Sequence, residues 1–230
     1  MIIRKVGETK NNGIKALVYG QSGSGKTFSL STLPDLESTL ILSAEAGLLS
    51  IRDIIPEADF SIISNLDDLR EAFTYVNEGE GTKYKTIVLD SLTEIAQQIL
   101  SYEQENTKDG RMIYGNMATR VLDLSKNFRD LVGRNVILIC QEERIQDDEG
   151  RMLYGPAMPG KKVGPQLPYL TDLVFALRVK HEDDKTKRVF QTSPLFSPDY
   201  VSKDRSGKLD IIEPPDWSIV FDKINNSNER

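Results

Sequence analysis

The stretch GQSGSGKT at residues 20–27 decides the fold. It fits the pattern Gly-x-x-x-x-Gly-Lys-Ser/Thr, follows directly on the apolar run KALVY (15–19), and opens into helix-compatible sequence, which is the strand–loop–helix setting that a phosphate-binding loop needs. Gly20, Gly23 and Gly25 let the backbone wrap so that successive amides and a helix N-terminus face a phosphate group. Lys26 is expected to bridge the β- and γ-oxygens of a triphosphate, and Thr27 to offer its hydroxyl to Mg²⁺. The expected nucleotide contacts therefore run from Gly20 through Gln21, Ser22, Gly23, Ser24, Gly25, Lys26 and Thr27 to Phe28. The ligand they imply is ATP with magnesium.

Such a loop accounts for binding and not for hydrolysis, so the other parts must lie outward from it. KTIVLDS (85–91) ends a short apolar run in Asp90, a carboxylate leaving a buried strand where it can orient the metal through water. Asp90-Ser91 also reads as the N-cap of a following helix. TLILSAEAG (39–47) brings Glu45 just beyond another apolar run, in a position to polarise an attacking water. NVILICQ (135–141) sets Gln141 in the same relation to a third run, where an amide can report the γ-phosphate to the loop after it.

These runs, together with KALVYG (15–20), are short and rich in Val, Ile and Leu, and read as strands buried on both faces. Helix-like stretches lie between them at 27–33, 66–77 and 116–133. In the last, Val121, Leu124, Phe128, Leu131 and Val132 recur at three- and four-residue steps. Strands alternating with helices imply a mostly parallel α/β sheet flanked by helices. After about residue 164 the texture changes. LVFALRVK (173–180), KRVFQTS (187–193) and KLDIIE (208–213) are separated by turn-rich polar spacers, which suits a C-terminal antiparallel hairpin extension. A single domain is expected over 1–221, with a polar tail over 222–230.

Composition narrows the function. The chain of 230 residues carries a net charge of −6, which argues against a broad nucleic-acid-binding face and makes any such contact local. One cysteine, Cys140, and one histidine, His181, make a zinc site of the Cys/His type implausible and exclude an internal disulfide. Cys140 reads as a buried, inert thiol. With no eighteen-residue apolar run and no secretory pattern, the expected place is the cytoplasm, without a membrane contact.

Taken together, LILSAEAGLLSI, TIVLDSLTEI and NVILICQEERI resemble the ATPase core of the RecA-family recombinases and the related DnaB-type hexameric helicases, over roughly residues 13–215. The resemblance implies a RecA-like P-loop NTPase in which Glu45 is the catalytic base, Asp90 closes the magnesium site and Gln141 is the sensor. KDRSG (203–207) resembles the Lys-x-Arg-x-Gly element that reaches a neighbouring subunit's γ-phosphate, so Lys203 and Arg205 would act in trans. The protein would then assemble with itself as a filament or ring. The core begins within about a dozen residues of Met1. This compact form resembles phage-encoded ATP-dependent single-strand annealing proteins, which work with a single-strand binding protein.

Two phrases, GRMIYG (110–115) and GRMLYG (150–155), differ at one position. In RecA-like cores the loops after the magnesium aspartate and after the sensor bind single-stranded DNA, and here these correspond to roughly 101–116 and 142–164. Arg111 and Arg151 would pair with phosphates, and Tyr114 and Tyr154 would stack on bases, with Met112 and Met152 as alternatives. Lys161 and Lys162 add charge. KDGRM and DEGRM read equally as plain turn sequences, and 142–164 holds four cations against five carboxylates. The function expected is an ATPase that binds single-stranded DNA and promotes annealing or recombination. The alternative is a nucleotide-gated helicase loader or packaging-associated ATPase acting on a protein partner. A small-molecule kinase is disfavoured by the lack of an Arg-rich lid.

Overall fold

The structure, a computed structural model, describes residues 13–45, 48–147, 149–182 and 185–226. In chain order the elements are β1 (Lys15–Gly20), α1 (Lys26–Ser29), β2 (Thr39–Ser43), β3 (Asp59–Ile62), α2 (Leu66–Glu78), β4 (Thr86–Asp90), α3 (Leu92–Asn106), α4 (Gly110–Arg129), β5 (Asn135–Gln146), β6 (Met152–Pro156), α5 (Leu167–Leu170), β7 (Leu173–Glu182), β8 (Lys185–Gln191), β9 (Lys203–Asp204), β10 (Ile212–Glu213) and α6 (Trp217–Asn225). They build one sheet in the order β10-β8-β7-β1-β5-β4-β2-β3, with β6 beside β5 and β9 beside β7. From β7 to β3 every neighbour along that path is parallel. β8, β10, β9 and β6 add antiparallel pairs. This is the mostly parallel sheet with a C-terminal antiparallel extension expected of a RecA-like core.

Burial explains why the central strands are apolar throughout. Along β1, Leu17 and Tyr19 enter one core with α2, α3 and α4, while Ala16 and Val18 enter a second with Leu30, Trp217 and Phe221. Both faces are covered, so there is no polar alternation to keep. Cys140 is fully buried, and burial pushes its thiol well above the ordinary range, as an inert thiol requires.

Three local readings differ from the sequence expectation. β3 is an edge strand whose four residues are all exposed, so DFSI has no apolar run to betray it. The first GRM phrase is not a loop: the Asp109 carboxylate accepts from the Arg111 amide at 2.9 Å and caps α4, which starts at Gly110. The presumed tail begins inside α6, where the Asp216 side chain caps the helix and Phe221 is buried. Residues 227–230 lie outside the described set. Among the described residues no helix is long and apolar enough to cross a membrane.

Candidate nucleotide site

Strand register brings the separate motifs to one edge. Gly20 is level with Gln141 across β1 and β5, and Asp90 is level with Ser43 on β2 and with Ile139 on β5. The carboxyl ends of β1, β2, β4 and β5 therefore open on a common cavity of about 760 Å³, lined by the phosphate loop with Glu45, Asp90, Ser91, Gln141, Glu142 and Arg188. Ligands of open α/β sheets bind at this kind of crevice.

The loop has the shape a phosphate group needs. Gly23 (φ 73°) and Gly25 (φ 102°) are left-handed, a conformation that other residues adopt only at a cost. A Cβ on Gly23 would meet nothing within 4 Å, so it is the backbone conformation and not crowding that favours glycine there. Gly25 is the N-cap of α1 and supplies no side-chain cap, which leaves the first amides of the helix for an anion. The Ser24 hydroxyl is buried and makes no hydrogen bond. Lys26 meanwhile donates to the Gly20 and Gln21 carbonyls at 2.8 and 2.9 Å, folding its ammonium back over the loop. Burial lowers its pKa, and Asp90 and Glu45 oppose that shift.

Thr27 and Asp90 are joined directly: the hydroxyl donates to Asp90 Oδ2 at 2.7 Å. Asp90 is 4% exposed, and burial lifts its pKa to about 6, with Thr27 pulling it down and Glu45 adding to the rise. A carboxylate held in so dry a place favours a cation beside it, which suits the oxygen donor set of Mg²⁺. The N-cap reading of Asp90-Ser91 falls on its second residue, because Ser91 Oγ accepts from the Glu94 amide and caps α3. The same hydroxyl donates to Glu45 Oε1 at 2.6 Å, and the Gln141 amide reaches that oxygen at 3.4 Å. Glu45, Ser91 and Gln141 thus meet over the mouth of the loop.

A family model described as an AAA domain matches residues 12–206, from the approach to β1 into the KDRSG element. The chain belongs to the AAA-domain family. No curated protein matches it. Among solved structures it is similar to a KaiC-like protein of the hyperthermophilic archaeon Pyrococcus horikoshii OT3, with 19% identity over 78% of this chain and 77% of that one and a TM-score of 0.44.

Within the AAA domain the remaining predicted residues fall into groups. Phe28 stands half exposed at the mouth of the cavity. Lys203 is tied within its own chain, its ammonium donating to the carbonyls of Pro168 and Thr171. Arg205 is exposed and only 3.4 Å from Asp172 Oδ1, so it is the freer cation of the pair. Tyr114, 53% exposed, lies against Gly160, the residue before Lys161 and Lys162, so the start of α4 meets the far end of the second segment. Arg111 is exposed beside it, with no ion pair among the described residues. The second phrase sits elsewhere, on the β5–β6 hairpin. There Arg151 pairs with Asp147 at 2.8 Å and Glu149 at 3.2 Å, and Tyr154 stacks on Tyr200 at 4.7 Å between ring centres. Gly150 turns this hairpin with φ 84°. Arg188 joins the site without having been expected, because a strand run such as KRVFQTS shows no sign of which strand it will lie beside.

Proposed function

We propose that the protein is a magnesium-dependent ATPase whose nucleotide state controls binding of single-stranded DNA, in annealing or homologous recombination. One observation carries the coupling. Thr93 Oγ1 accepts from the Gln141 backbone N–H at 3.0 Å and donates to the Ala157 carbonyl at 2.9 Å, while the Ala157 backbone N–H donates to the Gln141 backbone carbonyl at 2.8 Å. Met158 in turn donates its amide to Glu143 Oε1 at 2.9 Å. The segment leading to Gly160, Lys161 and Lys162 is therefore pinned to the residue that faces the γ-phosphate position. A shift of Gln141 is felt at Ala157 and, through it, beside Tyr114 and Arg111.

In the reaction, Lys26 and the loop amides hold the phosphates. Glu45, oriented by Ser91, takes a proton from water as it attacks. Magnesium, when bound by Thr27 and through Asp90, would neutralise charge on the β- and γ-phosphates. Arg205 would complete the site of a neighbouring copy in a filament or ring.

A second reading, a nucleotide-gated module acting on a protein partner, is favoured by one feature: Leu49, Phe60 and Ile62 are exposed around a cavity of about 460 Å³ at the edge of the sheet. ATP hydrolysis measured with and without single-stranded DNA separates the two. Stimulation together with ATP-dependent DNA binding supports the first, and neither effect leaves the second.

A further inference from the structure

Arg188 lies on β8, two strands from the phosphate-loop strand, and crosses back over the loop. Its Nε donates to the Ser24 carbonyl at 3.0 Å. A Cβ built on Gly25 would stand 3.4 Å from Arg188 Cδ and Nε, so the side chain passes close beside the loop. The bond to Ser24 uses one of the five donors of the guanidinium, and the group lines the same cavity as the phosphate loop. No carboxylate among the described residues lies within ion-pair distance of it.

The charge of the cavity gives this cation a task. Its acids are Glu45, Asp90 and Glu142, and its bases are Lys26 and Arg188. A polyphosphate entering beside three carboxylates needs more positive charge than one lysine and a magnesium ion supply. A planar fork matches phosphate oxygens better than a second ammonium would.

We propose that Arg188 is a nucleotide-binding residue acting in cis, its guanidinium pairing with the phosphates held by the loop at 20–27. The C-terminal β7–β8 hairpin thereby becomes one wall of the site. This inference rests on the reading of the cavity as an ATP site.

The test measures the affinity of the full-length chain for Mg-ATP, ADP and inorganic tripolyphosphate. Arg188→Ala should weaken all three by about tenfold or more, the scale of one charge-assisted hydrogen bond. Arg188→Gln, which keeps a donor for the Ser24 carbonyl, should lose as much, whereas Arg188→Lys should recover part of the loss. The dependence of log Kd on log salt should become shallower in the uncharged variants. Full affinity in Arg188→Gln would show that the arginine only props the loop, and a loss confined to ATP and ADP would place it on the base or sugar. Either result overturns the assignment, as does an Arg188→Ala affinity within about twofold of wild type. Lys26→Ala run in parallel separates the two readings. Wild-type binding lost in Lys26→Ala and kept in Arg188→Ala removes Arg188 alone, and no binding by the wild type removes both.

Discussion

The Ser91 hydroxyl holds Glu45 Oε1 at 2.6 Å while the neighbouring Asp90 carboxylate accepts from Thr27 at 2.7 Å. The carboxylate proposed to act on water is thus held by the residue next to the one proposed to orient the metal, at a single strand end. Glu45→Gln keeps the shape and removes the base. It should lower kcat roughly 10²- to 10⁴-fold while leaving Mg-ATP affinity near wild type. Steady-state hydrolysis beside an equilibrium binding curve checks this, and unchanged kcat would remove Glu45 from the chemistry.

Thr93 links Gln141 to Ala157 beside their direct backbone hydrogen bond. Thr93→Val keeps the volume and breaks both bonds, at a stability cost of about 1–3 kcal/mol from the groups left unpaired. Hydrolysis without DNA should survive, while the difference in DNA affinity between the ATP and ADP states should shrink. Fluorescence anisotropy of a labelled oligonucleotide in the two states reads this out.

The two arginines of the repeated phrase should not behave alike. Arg111→Ala with Lys161→Ala removes charges that flank Tyr114 and should weaken single-stranded DNA binding and flatten its salt dependence. Arg151 is already paired with Asp147 and Glu149, so Arg151→Ala should change affinity by less than about twofold. A loss in Arg151→Ala as large as in the double variant would place the DNA on the hairpin instead.

Lys15, buried at the start of β1, donates to the Leu131 and Arg134 carbonyls, and burial lowers its pKa from 10.5 to about 8. Its folded pKa lies below its unfolded one. Between pH 8 and 10.5 the unfolded chain therefore binds the extra proton, and this group's contribution makes the fold more stable as pH rises. Relative to Lys15→Met, the wild type should gain on the order of 3 kcal/mol over that window. Urea unfolding of both proteins at several pH values gives the difference, and parallel curves would refute the linkage.

What could be read from residues alone tracks how local each signal is. The loop at 20–27 and the four apolar runs carry their structure in adjacent letters, and all four runs became neighbouring central strands. Glu45, Asp90 and Gln141 were legible because each follows such a run by a step or two. GRMIYG and GRMLYG show the opposite case. Asp109, one residue before the first phrase, caps it into a helix, and Asp147, three before the second, accepts the Arg151 amide in a hairpin turn, so near-identical text folds by its flanks. β3 lacked a continuous apolar run, and Arg188 needed the strand order before it could be placed at all.

Strand β1 lies between β5 and β7, and the helix after its loop rests on Trp217, whose ring donates to Ser29 Oγ and whose amide donates to Thr32 Oγ1. On a ribosome, residues 15–32 emerge early and their supports emerge late. The phosphate loop must wait for β5, β7 and α6 to be translated before its strand is enclosed and its helix seated. A nascent chain halted anywhere before α6 would carry the motif and still be unable to seat a nucleotide as the finished protein does.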